Sequence, residues 1–165
     1  MVFNEIMTGL HVFSAATWFG ATVLFALIVG PTIGDFTPGT SNEVVVKMLP
    51  KYLLFIVFFT LLTPILGLAS ALSSSGGVSA VFDTGTSFGL YMSVGAGLSL
   101  ATWAVALGVV YPTGTRIIRI TREMIKNNSP HDPRLPSLAM RLKISTGVGL
   151  VLLIGIMVCM VAASY

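Results

Sequence analysis

The sequence predicts an all-α membrane protein, a four-transmembrane-helix bundle with both termini outside and a basic cytoplasmic loop or helix between helices 3 and 4. Three observations predict it. Only 9% of residues are charged and 55% are apolar, with a mean hydropathy of +0.92, whereas a soluble domain of this size carries about a quarter charged residues. Apolar runs of the ~20 residues needed to cross a bilayer occur four times. All nine Lys and Arg then fall on one side of a four-span topology. The runs cover residues 6–30, 52–74, 88–111 and 138–163, so 1–165 reads as a single transmembrane domain.

The first run is too long for a cleaved signal and follows Glu5 with no Lys or Arg before it, so it is expected to stay as a helix. Pro31 is expected to mark its cytoplasmic end. The second run contains Pro64, which removes the hydrogen bond to the carbonyl of Thr60; the hydroxyls of Thr60 and Thr63 are placed to help re-satisfy that backbone. In the third run Gly95 and Ser99, Gly97 and Ala101, and Ala104 and Gly108 are pairs of small residues one helical turn apart. Ser145 and Gly149 repeat the pattern in the fourth. Such pairs let helix backbones approach closely within lipid. The only cysteine, Cys159, lies in the fourth run, which excludes an intrachain disulfide and a cysteine-cluster zinc site.

Charge sets the orientation. Lys47 and Lys51 precede the second run, and Arg116, Arg119, Arg122, Lys126, Arg134, Arg141 and Lys143 surround the loop between the third and fourth. The positive-inside rule places these in the cytoplasm and both termini outside, in a multi-pass protein of the cell membrane. The basic residues are juxtamembrane and carry no nucleic-acid motif, so the partners expected are the lipid bilayer and either further copies of the chain or other membrane subunits. Segment 116–128 is amphipathic. Ile117, Ile120 and Met124 share one face and the basic residues take the rest, as in a cytoplasmic extension of the third helix or a helix lying on the headgroups. His131 and Asp132 follow in a proline-rich turn, where two adjacent loop residues make a poor metal site. Gly76 and Gly77 sit in a Ser-rich external turn and read as flexible linkage.

Chemistry concentrates in the first run. At 3.6 residues per turn Asn4, His11, Ser14, Trp18 and Thr22 fall close to one face, which should point away from lipid. Counting back from Pro31 at 1.5 Å per residue puts His11 about 30 Å away, near the outer boundary of the hydrocarbon. A neutral imidazole there is a ligand for haem iron or copper; it can equally hydrogen-bond across the bundle. Acidic residues lie only at helix ends and in loops, so no carboxylate chain crosses the membrane for a coupled carrier. Hydrolytic motifs and phosphate-binding glycine loops are absent from the sequence.

Leu10-His11, with Trp18 and Gly20 seven and nine residues after the histidine, resembles the first-helix signature of the copper-resistance protein D-like membrane proteins, relatives of the membrane protoporphyrinogen oxidase. Met140-Arg141-Leu142-Lys143 extends the match loosely to the fourth run. The resemblance implies a compact helical membrane protein binding b-type haem through His11, with Ser14 and Trp18 beside it. One departure tells against oxidase activity. That enzyme is expected to use a lysine in the membrane near the haem, and no Lys or Arg lies in the outer half of any run here. Haem propionates would likewise have to face water or accept hydrogen bonds from Tyr, Ser or Asn.

The second axial ligand is not given by another histidine, since His131 is on the opposite side of the membrane. Met7, Met92, Met157, Cys159 and Met160 are the outer-half sulfur donors. A faint internal repeat selects among them. Val29-Gly30-Pro31-Thr32 and Val110-Tyr111-Pro112-Thr113 align the two prolines, and Met92 then stands where His11 does. His/Met ligation raises a haem's potential. Copper is the weaker alternative, with Met7 and His11 one turn apart. Two function classes are therefore carried forward. One is a small b-type cytochrome with His11 and Met92 as metal ligands, for electron transfer or redox sensing. The other is a non-catalytic accessory subunit of a larger membrane oxidoreductase or monooxygenase, without a cofactor of its own.

Overall fold

A computed structural model describes residues 2–74, 76–129 and 131–164. Four helices are long and apolar enough to cross a membrane, as in a multi-pass helical bundle. They are α1 (Val2–Asp35), α2 (Pro38–Ser73), α4 (Ser87–Lys126) and α5 (Leu135–Ala162), with a short α3 (Gly77–Val81) between the second and third. The turn expected at Gly76-Gly77 is thus partly helical, and Gly77 takes a left-handed φ of +62° at its start. Side chains such as Leu54, Ile65, Leu72, Leu100 and Val151 stay exposed around the outside. Helical hydrogen bonding satisfies the backbone within each segment, so such an apolar exterior suits hydrocarbon.

Pro31 does not end the first helix. A π turn at Phe25–Val29 precedes it, with the Gly30 N–H donating to the Phe25 carbonyl. The wider turn makes room for the proline ring and the helix continues to Asp35. The break comes at Phe36 and Thr37, because Thr37 precedes Pro38 and is held in an extended conformation. Pro112 is accommodated the same way, by a π turn at Ala106–Val110 and a Tyr111 N–H donated to Ala106. The helix then runs on to Lys126, where Asn128 at φ 50° and a Ser129 N–H donated to the Met124 carbonyl close it. The sequence repeat around the two prolines is therefore also a repeat of backbone geometry.

The basic segment is an extension of α4 rather than a helix on the headgroups. Ile117, Ile118, Ile120, Thr121 and Met124 are buried. Ile117 and Ile118 belong to a core with Phe25, Leu49, Leu53, Val110 and Leu142. Tyr52 stacks on Phe25 with ring centroids 3.9 Å apart. At 40 residues α4 is about 60 Å long, twice the ~30 Å of hydrocarbon, so its basic end stands well clear of the apolar layer. All nine Lys and Arg are exposed.

Away from the basic end the bundle divides. Helix α1 packs along α2, and the first half of α4 packs along α5, while contacts between the two pairs are sparse there. Trp18, Ile56 and Leu153 form a small second core where the pairs converge. Of the small-residue pairs, Gly95 approaches Cys159, and Ser145 and Gly149 are buried. Gly97, Ala101, Ala104 and Gly108 lie on the exposed face of α4 instead.

Candidate functional site

The space between the two helix pairs is a cavity of ≈ 340 Å3 at the end opposite the basic residues. All four long helices line it, and Val81 and Phe82 border it beside α3. Of the sequence-predicted site residues, His11, Trp18 and Met92 line it and Ser14 does not. Met157, Cys159 and Met160 join Met92 in its wall, whereas Met7 is absent from it. The copper pairing of Met7 with His11 therefore has only one of its members at the cavity.

His11 is half-buried, and its setting explains how it is held. Its Nδ1 lies 2.8 Å from the carbonyl oxygen of Thr63. A carbonyl only accepts, so Nδ1 carries the proton and, in the neutral ring, Nε2 keeps its lone pair. Nε2 has no hydrogen-bond partner among the described residues. The Thr63 carbonyl is open to the ring because Gly67 follows one turn later. A side chain there would lean back over that turn. A Cβ at Gly67 would lie 2.8 Å from His11 Cε1 and 3.1 Å from Nδ1. Gly67 is the residue that the sequence reading missed, and the Thr63-Pro64-Ile65-Leu66-Gly67 run contained the signal.

Ser14 sits one turn beyond and is 1% exposed, with its Oγ 2.7 Å from Thr63 Oγ1. Thr63 thus receives two side chains of α1, one on its carbonyl and one on its hydroxyl. Thr8 meets Ser70 at 2.6 Å, and the Ser73 hydroxyl donates to Asn4 Oδ1 at 3.0 Å. The polar stripe points inward, as expected, but residues 4–14 fasten α1 to the last third of α2 rather than facing the bundle axis throughout. The threonine hydroxyls do not repair the backbone at Pro64. Thr63 bonds to Ser14, and Thr60 Oγ1 is buried with no partner among the described residues. Removing one hydroxyl by Ser14→Ala is expected to lower stability in detergent by about 0.6 kcal/mol, the usual size of an interhelical hydrogen bond in membrane proteins. A thermal shift equal to that of an exposed control such as Thr32→Ala would contradict this.

Trp18 is 3% exposed and packs with Ile56 and Leu153, forming the floor of the cavity. Asp132, next to His131, is engaged by Arg134. The Asp132 carboxylate accepts from the Arg134 guanidinium at 2.7 and 3.0 Å and from its backbone N–H at 2.9 Å. Those bonds hold its pKa down at about 2.

Compared with protein-family models, with curated proteins and with solved structures, the chain gives no match.

Proposed function

We propose that this chain is a small membrane cytochrome of the b type, holding haem through His11 at the end of the bundle opposite the basic residues. The observation that carries the reading is the imidazole. Its Nδ1–H is fixed on a backbone carbonyl, its Nε2 has no partner among the described residues, and it borders an apolar cavity shared with Met92. Histidines that bind metal are oriented in this way by a hydrogen bond on the second nitrogen. By the positive-inside rule the basic end is cytoplasmic and the cavity lies toward the outer face.

The donor set suits haem iron better than the other metals considered. One imidazole and one thioether suffice for haem, whereas a structural zinc needs four protein ligands. The cavity of ≈ 340 Å3 lies at the lower end of the size range of ligand pockets. His11 and Met92 would hold the iron, with Trp18 closing the inner end of the cavity. Ser14 does not meet the cavity; its bond to Thr63 Oγ1 adds to the packing of α1 on α2 without fixing the ring. Bound haem would supply one-electron chemistry. The protein contributes a low-dielectric wall, a fixed ring orientation and separation from the basic end by the Trp18 core.

The test is the visible spectrum of the purified chain, oxidised and dithionite-reduced, before and after adding haem. A Soret band with sharp reduced α and β bands is expected, lost in His11→Ala and shifted in Met92→Leu. A wild type that stays colourless after reconstitution, or a His11→Ala spectrum equal to wild type, overturns the assignment. The accessory-subunit reading would then stand, and the polar stripe would be packing alone.

A further inference from the structure

The basic extension of α4 has a feature that neither haem binding nor topology uses. Between it and α2 runs a groove of ≈ 410 Å3, beginning at Leu54 and Tyr111 and ending at Arg119, Arg122 and Glu123. Leu53 and Ile118 form its apolar floor. Leu54 is 71% exposed and Tyr111 is 44% exposed, at the level where the apolar runs of α2 and α4 end. Tyrosine favours that boundary. Among the described residues neither arginine forms an ion pair, as the salt bridges are Lys47–Glu43 and Arg134–Asp132.

We propose that this groove binds one anionic phospholipid from the leaflet at the basic end, with an acyl chain along Leu54 and Tyr111 and the phosphate between Arg119 and Arg122. The groove changes from apolar to cationic along the membrane normal, as a lipid changes from chain to headgroup. Arg119 lies two turns, about 12 Å, beyond Tyr111, and side chains on a helix lean toward its N-terminus. The N-terminal half of α4 is its apolar half, so both guanidiniums reach back toward the bilayer, helped by snorkelling of their long stems. Arginine also matches phosphate with paired donors where lysine offers a point charge. Glu123 on the rim opposes an anion and tunes the site rather than building it.

Native mass spectrometry of the full chain, released from detergent with equimolar phosphatidylglycerol and phosphatidylcholine of matched acyl chains, tests this. Wild type is expected to retain phosphatidylglycerol preferentially. Arg119→Gln and Arg122→Gln should each lower that retention about fivefold, the usual contribution of a basic side chain at an anionic surface. Glu123→Gln should raise it. The double variant R116Q/K126Q removes the same charge outside the groove and should leave the preference in place. Equal losses in R116Q/K126Q and R119Q/R122Q would overturn the site in favour of diffuse charge. Unchanged retention in R119Q/R122Q would overturn it outright. Glycerol phosphate held as well as the lipid would overturn the acyl-chain seat, leaving an anion site alone.

Discussion

At the proposed haem site, Gly67→Ala is expected to weaken haem binding about 10- to 100-fold, although residue 67 carries no ligand atom. The added Cβ would stand 2.8 Å from Cε1 of the His11 ring and 3.1 Å from Nδ1. The ring cannot keep its 2.8 Å bond to the Thr63 carbonyl under that contact. It must swing away, and the orientation of Nε2 goes with it. Loss of such an orienting partner costs 10–100-fold in affinity for metal sites, and overpacking adds ~1–3 kcal/mol of instability. The two effects separate in one set of measurements. Haem titration into Gly67→Ala should show the affinity loss, while Ser14→Ala, which loosens the same helix contact without touching the ring, should retain haem. Helical circular dichroism checks that both variants are folded. Full haem affinity in a folded Gly67→Ala protein would refute the argument about the ring.

Leu53→Ala is expected to produce the largest loss of stability, about 2–5 kcal/mol by analogy with buried leucines elsewhere. Leu53 is 2% exposed and sits among Phe25, Leu49, Val110, Ile117, Ile118 and Leu142. It also fills the space over Gly114, where a Cβ would lie 2.7 Å from Leu53 Cδ1 and 3.3 Å from Cγ. Gly114→Ala alone should therefore destabilise by ~1–3 kcal/mol through overpacking. In Leu53→Ala the space over residue 114 is vacated, so the second substitution becomes harmless or partly restorative. The double variant should then be less unstable than the sum of the singles, a coupling readable by thermal unfolding in detergent. Simple additivity would mean that the glycine is not the seat of Leu53.

The helices were legible in the sequence because hydrocarbon admits few solutions, but their ends were not. Pro31 read as a stop, since proline lacks the N–H that a helix interior needs. Pro31 and Pro112 are each absorbed by a π turn, and the break after the first helix comes at Phe36 and Thr37, the latter held extended before Pro38. The amphipathic segment 116–128 was visible as a pattern, yet the pattern was equally good for a lipid surface and for a protein one. Packing against Leu53 and Leu142 decides for the protein. The small-residue pairs show the same limit: spacing identifies a stripe but not what faces it, and Gly97 and Gly108 face outward.

What the sequence determined by itself was the set of four spans, the concentration of positive charge at one end, and a polar stripe on the first helix. Each follows from local physics, namely apolar length against bilayer thickness, charge against the membrane surface, and a 3.6-residue period. Tertiary structure decided which nitrogen of His11 is held, that Gly67 makes its seat, and that Met92 shares its cavity while Met7 does not. These depend on how far each helix is rotated and where two helix pairs part. That is set by contacts between residues more than fifty positions apart, such as His11 with Thr63, for which periodicity along one helix carries no information.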